Sequence, residues 1–179
     1  MGSQFIEFPS KPVSRELYLI GFRMDPTAEG PQFFMLIGAG DGSERPITKG
    51  DRVLFFRRSE DARKALALSD NGFGDVRPVP TELELVCDIS EALYIASAEK
   101  EDTDGVLFEL IAVFDDLLRA VRLSVPEEYA AVLGAMASRL GDTPEFATFL
   151  EESGLTREKL EDALMWCVGA VAVKSSWVG

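Results

Sequence analysis

The sequence predicts an α+β fold: an N-terminal, mostly antiparallel sheet carrying one helix, followed by a C-terminal bundle of about five helices packed on it. Three observations carry this prediction. Residues 33–69, FFMLIGAGDGSERPITKGDRVLFFRRSEDARKALALS, read as strand, turn, strand and helix without a linker. The spacing of apolar residues is two up to Asp88 and 3.6 beyond it. Past that point the apolar stripes open on helix-start residues and several close on glycine. The change of period divides the chain into a sheet-rich half, residues 1–88, and an acidic all-helical half, residues 89–179, expected to form one continuous globular unit.

Taken in order, residues 4–8 alternate polar and apolar and suit an edge strand ended by Pro9. ELYLIGFR, residues 16–23, is apolar on both faces and is expected at the centre of the sheet. MDPTAEGP returns the chain for the strand at 33–37. Gly38, Gly40 and Gly42 then form the turn GAGDGS. A phosphate-binding loop must open into a helix, whose free N–H groups hold the anion, and this one opens into another strand, so a plain hairpin is expected. The strand at 53–56 runs into a helix for which Ser59 is the expected cap, with Glu60 and Asp61 in its first turn and Ala62, Ala65, Leu66 and Ala67 on its apolar side. NGFG stops that helix, Pro78 and Pro80 keep the next segment extended, and TELELVCD, residues 81–88, closes the sheet with one wet face.

Ser90 is the expected cap of a short helix, and Thr103 or Asp104 that of the longest one. In the latter Val106, Leu107, Leu110, Ile111, Phe114, Leu117, Leu118 and Val121 form a wide apolar stripe. Pro126, Glu127 and Glu128 start the next helix and Gly141 ends it; Thr143 and Pro144 start a short one that stops at Gly154. Thr156 caps the last, which is apolar almost all round from Ala163 onward. Such a helix lies at the centre of a bundle or is shared with a second subunit.

Composition bounds the chemistry. With 179 residues, 46% hydrophobic and 27% charged, the chain is an ordinary globular mixture, long enough to bury roughly 70% of its unfolded surface. Its net charge of −13 is uneven: residues 1–88 hold 14 acids and 11 bases, residues 89–179 hold 17 and 7. A half with a balance of −10 is ill suited to phosphate backbones, so neither nucleic acid nor an anionic membrane is an expected partner, whereas a basic protein surface is. No signal segment or membrane span is legible, and Cys87 and Cys167, both in apolar surroundings, make no disulfide framework; a reducing, cytoplasmic location is expected.

There is no histidine. That removes the commonest general base, the usual triads and most nitrogen ligands of zinc and iron. No cofactor is expected and no catalytic residue is assigned. Arg57 and Arg58, between strand and helix, belong to the one local basic excess and are the candidate site for an anion or an acidic partner. Asp115 and Asp116 lie within the longest helix, where Asp is disfavoured; they are the weak candidates for a metal, and would need Glu158, Glu161 or Asp162 to converge on them. Cys167, in MWCVGA, is expected in the core. Trp177, in the polar tail KSSWVG, either folds back onto the bundle or contacts a partner.

The piece VLFFRRSEDARKAL, residues 53–66, resembles the strand-to-helix units of several small bacterial α+β families, SseB-like secretion-associated proteins among them. The resemblance implies a strand feeding a helix and no function. The expected role is therefore a non-enzymatic protein-binding module of the immunity, antitoxin or adaptor type, meeting a partner through an acidic helical surface. The alternatives are a carboxylate-based or metal-assisted enzyme with its site between sheet and helices, and a self-assembling homo-oligomeric subunit whose last helix packs across a two-fold axis.

Overall fold

The computed structural model describes residues 14–98, 100–138 and 145–179. The expected edge strand at 4–8 and the helix signals at 140–144 lie outside them. The described residues form a seven-stranded mixed sheet and six helices, the α+β architecture expected, with a sheet-rich N-terminal part followed by helices. The strands are β1 (Glu16–Arg23), β2 (Phe33–Gly40), β3 (Ser43–Pro46), β4 (Thr48–Lys49), β5 (Arg52–Phe56), β6 (Leu83–Asp88) and β7 (Ser175–Val178); the helices are α1 (Ala62–Leu68), α2 (Ile89–Ser97), α3 (Val106–Ala120), α4 (Glu127–Ala137), α5 (Phe146–Ser153) and α6 (Arg157–Val173).

The sheet runs β4-β5-β2-β1-β6, with β3 added to β2 and β7 to β5. Pairing is antiparallel except for β1 with β6 and β5 with β7. ELYLIGFR is central as expected. β2 runs three residues beyond its apolar run, to Gly40, and turns into β3 through Asp41 and Gly42 alone, at φ 54° and 75°. Two left-handed residues are what a tight primed hairpin needs, and Asp-Gly supplies them cheaply. Gly38 is required for another reason: a Cβ there would lie 2.4 Å from Cδ1 of Phe73, which packs flat on the strand.

Alternation along each strand sends side chains to two separate cores. Ile20, Phe22, Met35, Ile37, Val53 and Phe55 face the helical bundle, while Leu17, Leu19, Leu36, Leu54 and Phe56 face α1 and the Phe73–Val76 loop. The helix starts are held by other residues than the sequence suggests. No side-chain hydrogen bond caps α1, whose first turn is preceded by a 3-10 turn at Ser59–Asp61. Asp88, rather than Ser90, caps α2 by accepting from Glu91 N at 2.9 Å. For α3, Gly105 occupies the cap position at φ 72° and the Asp102 carboxylate reaches in to Leu107 N at 3.2 Å, so neither Thr103 nor Asp104 serves. Burial of Asp102 raises its pKa, against the opposing effect of these backbone donors. The α5 N-terminus is held from 45 residues away by Glu101, which accepts from Phe146 N at 2.6 Å. Thr156 caps α6 as expected, through Lys159 N at 3.3 Å.

At 17 residues α6 is longer than α3, with 15. Charged residues over its first two turns, Arg157 to Asp162, hide its length from an apolar count. It packs on α2, α3 and α4 through Leu160, Ala163, Leu164, Cys167 and Val171. Sequence reasoning places no strand after residue 88, yet the tail becomes β7, parallel to β5 with Val53 opposite Ser175 and Phe55 opposite Trp177. Arg52 secures the junction by donating to the carbonyls of Val173 and Ser175, both at 3.1 Å. Among the described residues, no helix is long and apolar enough to cross a membrane.

Candidate binding groove

Arg57 and Arg58 follow the end of β5 directly, and their side chains have different neighbours. Arg58 pairs with Glu60 at 3.5 Å, both side chains about as exposed as each other at 73% and 70%, an ion pair of little energetic weight. Arg57 follows Phe55 on the bundle side, and its guanidinium lies 5.9 Å from the ring centre of Trp177. Among the described residues it has no carboxylate partner. The rest of the local basic excess is dispersed: Arg52 holds the α6–β7 junction and Lys64 donates to the buried Asp61 at 2.6 Å.

Trp177 leads to the most distinctive surface of the molecule. β1 and β2 pair Phe22 directly with Phe33, and their rings stack at 5.0 Å. Phe55 meets both edge-on at 5.6 Å. Trp177, placed by its register opposite Phe55, lies 5.5 Å from Phe33 and 5.7 Å from Phe55. Four rings thus pave the bundle-facing side of the sheet at the end where β1 leaves it. The helices bury Phe22 and Phe55, leave Phe33 partly covered and do not close over Trp177. Phe114 and Leu117 of α3 and the last turns of α6 form the opposite wall, leaving an apolar groove of about 340 Å³. At its mouth Met24 is 49% and Trp177 52% exposed. Among the described residues, the Ser175 hydroxyl and the Trp177 indole N–H are the polar side-chain groups of the lining, which suits it to hold an apolar group.

Asp115 and Asp116 lie elsewhere on α3. Both pair with Arg119, Asp116 at 3.6 Å. Asp116 also borders a cleft of about 400 Å³ between α3 and the sheet, where Glu44, Glu84, Glu109 and Tyr18 ring an aliphatic floor. Burial raises the Asp116 pKa, with the Asp115 and Glu44 charges adding to it and Arg119 opposing. The Tyr18 hydroxyl donates to Glu16 at 2.9 Å, which raises its pKa. Among the described residues no three His, Cys, Asp or Glu side chains are arranged to hold a metal. Glu158, Glu161 and Asp162 stand on α6, and Asp162 lines a different pocket with Tyr129 and Lys159, so the structure does not bring them to Asp115 and Asp116. Both thiols are buried, and burial pushes the pKa of Cys87 and of Cys167 up to about 12, leaving neither suited to nucleophilic work.

The sequence singles out Arg57 and Trp177 separately, and the structure makes them neighbours. The aromatic floor was missed because its four rings come from four strands, and only the register of β7 adds the last. An indole in a polar tail is the one local signal of it.

The architecture is thus a mixed sheet with a helical bundle on one face and a short helix on the other. A solved structure of the same class is the C-terminal domain of SatS, crystallised in complex with bromine, which aligns with a TM-score of 0.55 over 90% of this chain and 94% of that one at 12% identity. At that identity the likeness is one of fold. No protein-family model matches the chain, and no curated protein matches it.

Proposed function

We propose that the protein is a non-enzymatic protein-binding module, adaptor-like in kind, that captures an apolar anchor of a partner protein in the aromatic groove. The observation that supports this is the aromatic cluster of Phe22, Phe33, Phe55 and Trp177 lining an apolar groove, buried at Phe22 and Phe55 and half exposed at its mouth, at Met24 and Trp177. Exposed aromatic and methionine side chains at the mouth of an apolar groove are what interface anchors engage. The acid of the helical half, −10 over residues 89–179, would draw a basic region of the same partner toward it and speed the encounter.

Photo-crosslinking tests this. A benzoylphenylalanine introduced at Met24 in the producing cell should form a discrete adduct that the second substitution Trp177→Asp abolishes and that added salt slows. An adduct pattern equal to that from the same probe at Glu29, outside the groove, or one indifferent to Trp177→Asp, would refute the proposal.

One observation favours a second reading, self-assembly through the last helix. Met165 at 51% and Val173 at 71% exposure lie two turns apart on the outer side of α6, with Gly169 between them. Light scattering that gives a mass of twice 19.6 kDa, and of 19.6 kDa after Met165→Glu, would support it; a monomer at high concentration would remove it.

A further inference from the structure

We infer that the segment taken up by the groove is an apolar peptide carrying an acidic residue beside its anchor, an inference that rests on the binding reading above. The argument is one of charge complementarity at the rim. The cations around this end of the sheet are engaged, with one exception. Arg23 is paired with Asp88 at 3.1 Å, Lys174 with Asp51, and Arg52 with two carbonyls. Among the described residues Arg57 has only the face of Trp177. The nearby acids are engaged as well: Asp88 and Asp51 in those pairs, Asp25 by Thr27 N and Oγ1 at 2.8 and 2.6 Å.

Arg63 and Arg122 also lack a carboxylate partner among the described residues, and Arg57 is the one that stands beside the groove, over its Trp177. The indole, its ring centre 5.9 Å away, takes none of the guanidinium N–H groups, which stay available for a two-pronged bond to a carboxylate. Inside the groove a charge would find, among the described residues, only the Ser175 hydroxyl and the Trp177 N–H, so an acid on the occupant must sit next to the buried anchor rather than in it.

A matched pair of dyes isolates this contribution in the intact protein. N-Phenyl-1-naphthylamine and 8-anilinonaphthalene-1-sulfonate share one apolar skeleton, and only the second carries an anion. The sulfonate should bind more tightly at low salt. Arg57→Gln should weaken it about three- to tenfold, in keeping with a half-exposed charge-assisted contact, and leave the neutral dye unchanged. Arg63→Gln, on α1 at the other face of the sheet, should alter neither. A peptide with a Leu-Phe-Leu centre flanked by Glu should displace the dye at lower concentration than its Gln-flanked twin, and lose that advantage in Arg57→Gln.

Groove-dependent binding of both dyes, lost in Met24→Glu but indifferent to Arg57→Gln, would overturn the acidic preference and leave the groove reading standing. Binding of neither dye, or binding that Met24→Glu does not touch, would overturn both. Displacement by neither peptide while the dyes behave as expected would overturn the peptide as occupant.

Discussion

Gly38 offers the sharpest test of how the sheet is packed. At an unobstructed strand position Gly→Ala narrows the unfolded ensemble and stabilises by about 0.4–1 kcal/mol. At Gly38 the added methyl would lie 2.4, 2.5 and 2.7 Å from three ring carbons of Phe73, roughly 1 Å inside ordinary carbon–carbon contact. Phe73 is buried, at 6% exposure, in the core between the sheet and α1, so its ring cannot swing away without opening that core. Overpacking of this kind costs about 1–3 kcal/mol, and the middle of that range, about 2 kcal/mol, is the expected loss for Gly38→Ala. For a chain of this length that is a fall in melting temperature of about 4–8 °C.

The assay is urea unfolding followed by far-ultraviolet circular dichroism, with calorimetry in parallel, on the wild type, Gly38→Ala, Phe73→Ala and the double variant. Phe73→Ala alone should cost about 3–5 kcal/mol, and on that background Gly38→Ala should cost nothing or recover stability, because the methyl enters space the ring has left. A Gly38→Ala variant as stable as the wild type, or a double variant whose loss is the sum of the two singles, would refute the assignment of Gly38 to ring packing.

Other outcomes follow from single contacts. With thiol pKa values near 12, Cys87 and Cys167 should stay unlabelled by a disulfide reagent at pH 8 in the native protein and react together once guanidinium is added; rapid labelling of either in the native state would contradict their burial. Glu101→Ala should cost about 1–2 kcal/mol by releasing Phe146 N and Ala147 N at the start of α5, visible in urea unfolding, while Glu101→Asp, shorter by one methylene, should recover little of it. Because the Asp116 pKa is raised on folding, its charge opposes the native state; the protonated form favoured at low pH loses its advantage as pH rises through the raised value, so Asp116→Asn should stabilise at pH 7 and lose that gain as pH falls below the ordinary carboxylate range, as paired unfolding curves would register. Arg52→Gln should loosen the α6–β7 junction and raise amide exchange at Ser176 and Val178 above that of β1.

What could be read in the sequence was what depends on neighbours in the chain. The alternation in ELYLIGFR, the Asp-Gly turn and the stripes of α3 and α6 are set by local periodicity and backbone preference, and the structure has them. The helix starts were legible as places but not as contacts: Glu101 serves a helix 45 residues away, and Asp88 won over Ser90 because it stands two residues earlier, at the true cap position. β7 was missed because SSWV is too short and too polar to announce a strand; its place is fixed by Arg52 and by pairing with β5, both more than 120 residues distant. The candidate site suffered in the same way. Arg57 and Trp177 are each visible alone, and the groove they share exists only where four strands converge, which no spacing along one segment records.

That distant pairing orders events during synthesis. β5 leaves the ribosome with one edge bare, and its neighbour β7 follows only after the whole helical half has been made. Until then the aromatic floor lacks its fourth ring, and Arg57 has no indole to lie against. The groove is therefore complete only as a property of the finished fold, and the unpaired edge of β5 is the interval's point of vulnerability to wrong strand pairing.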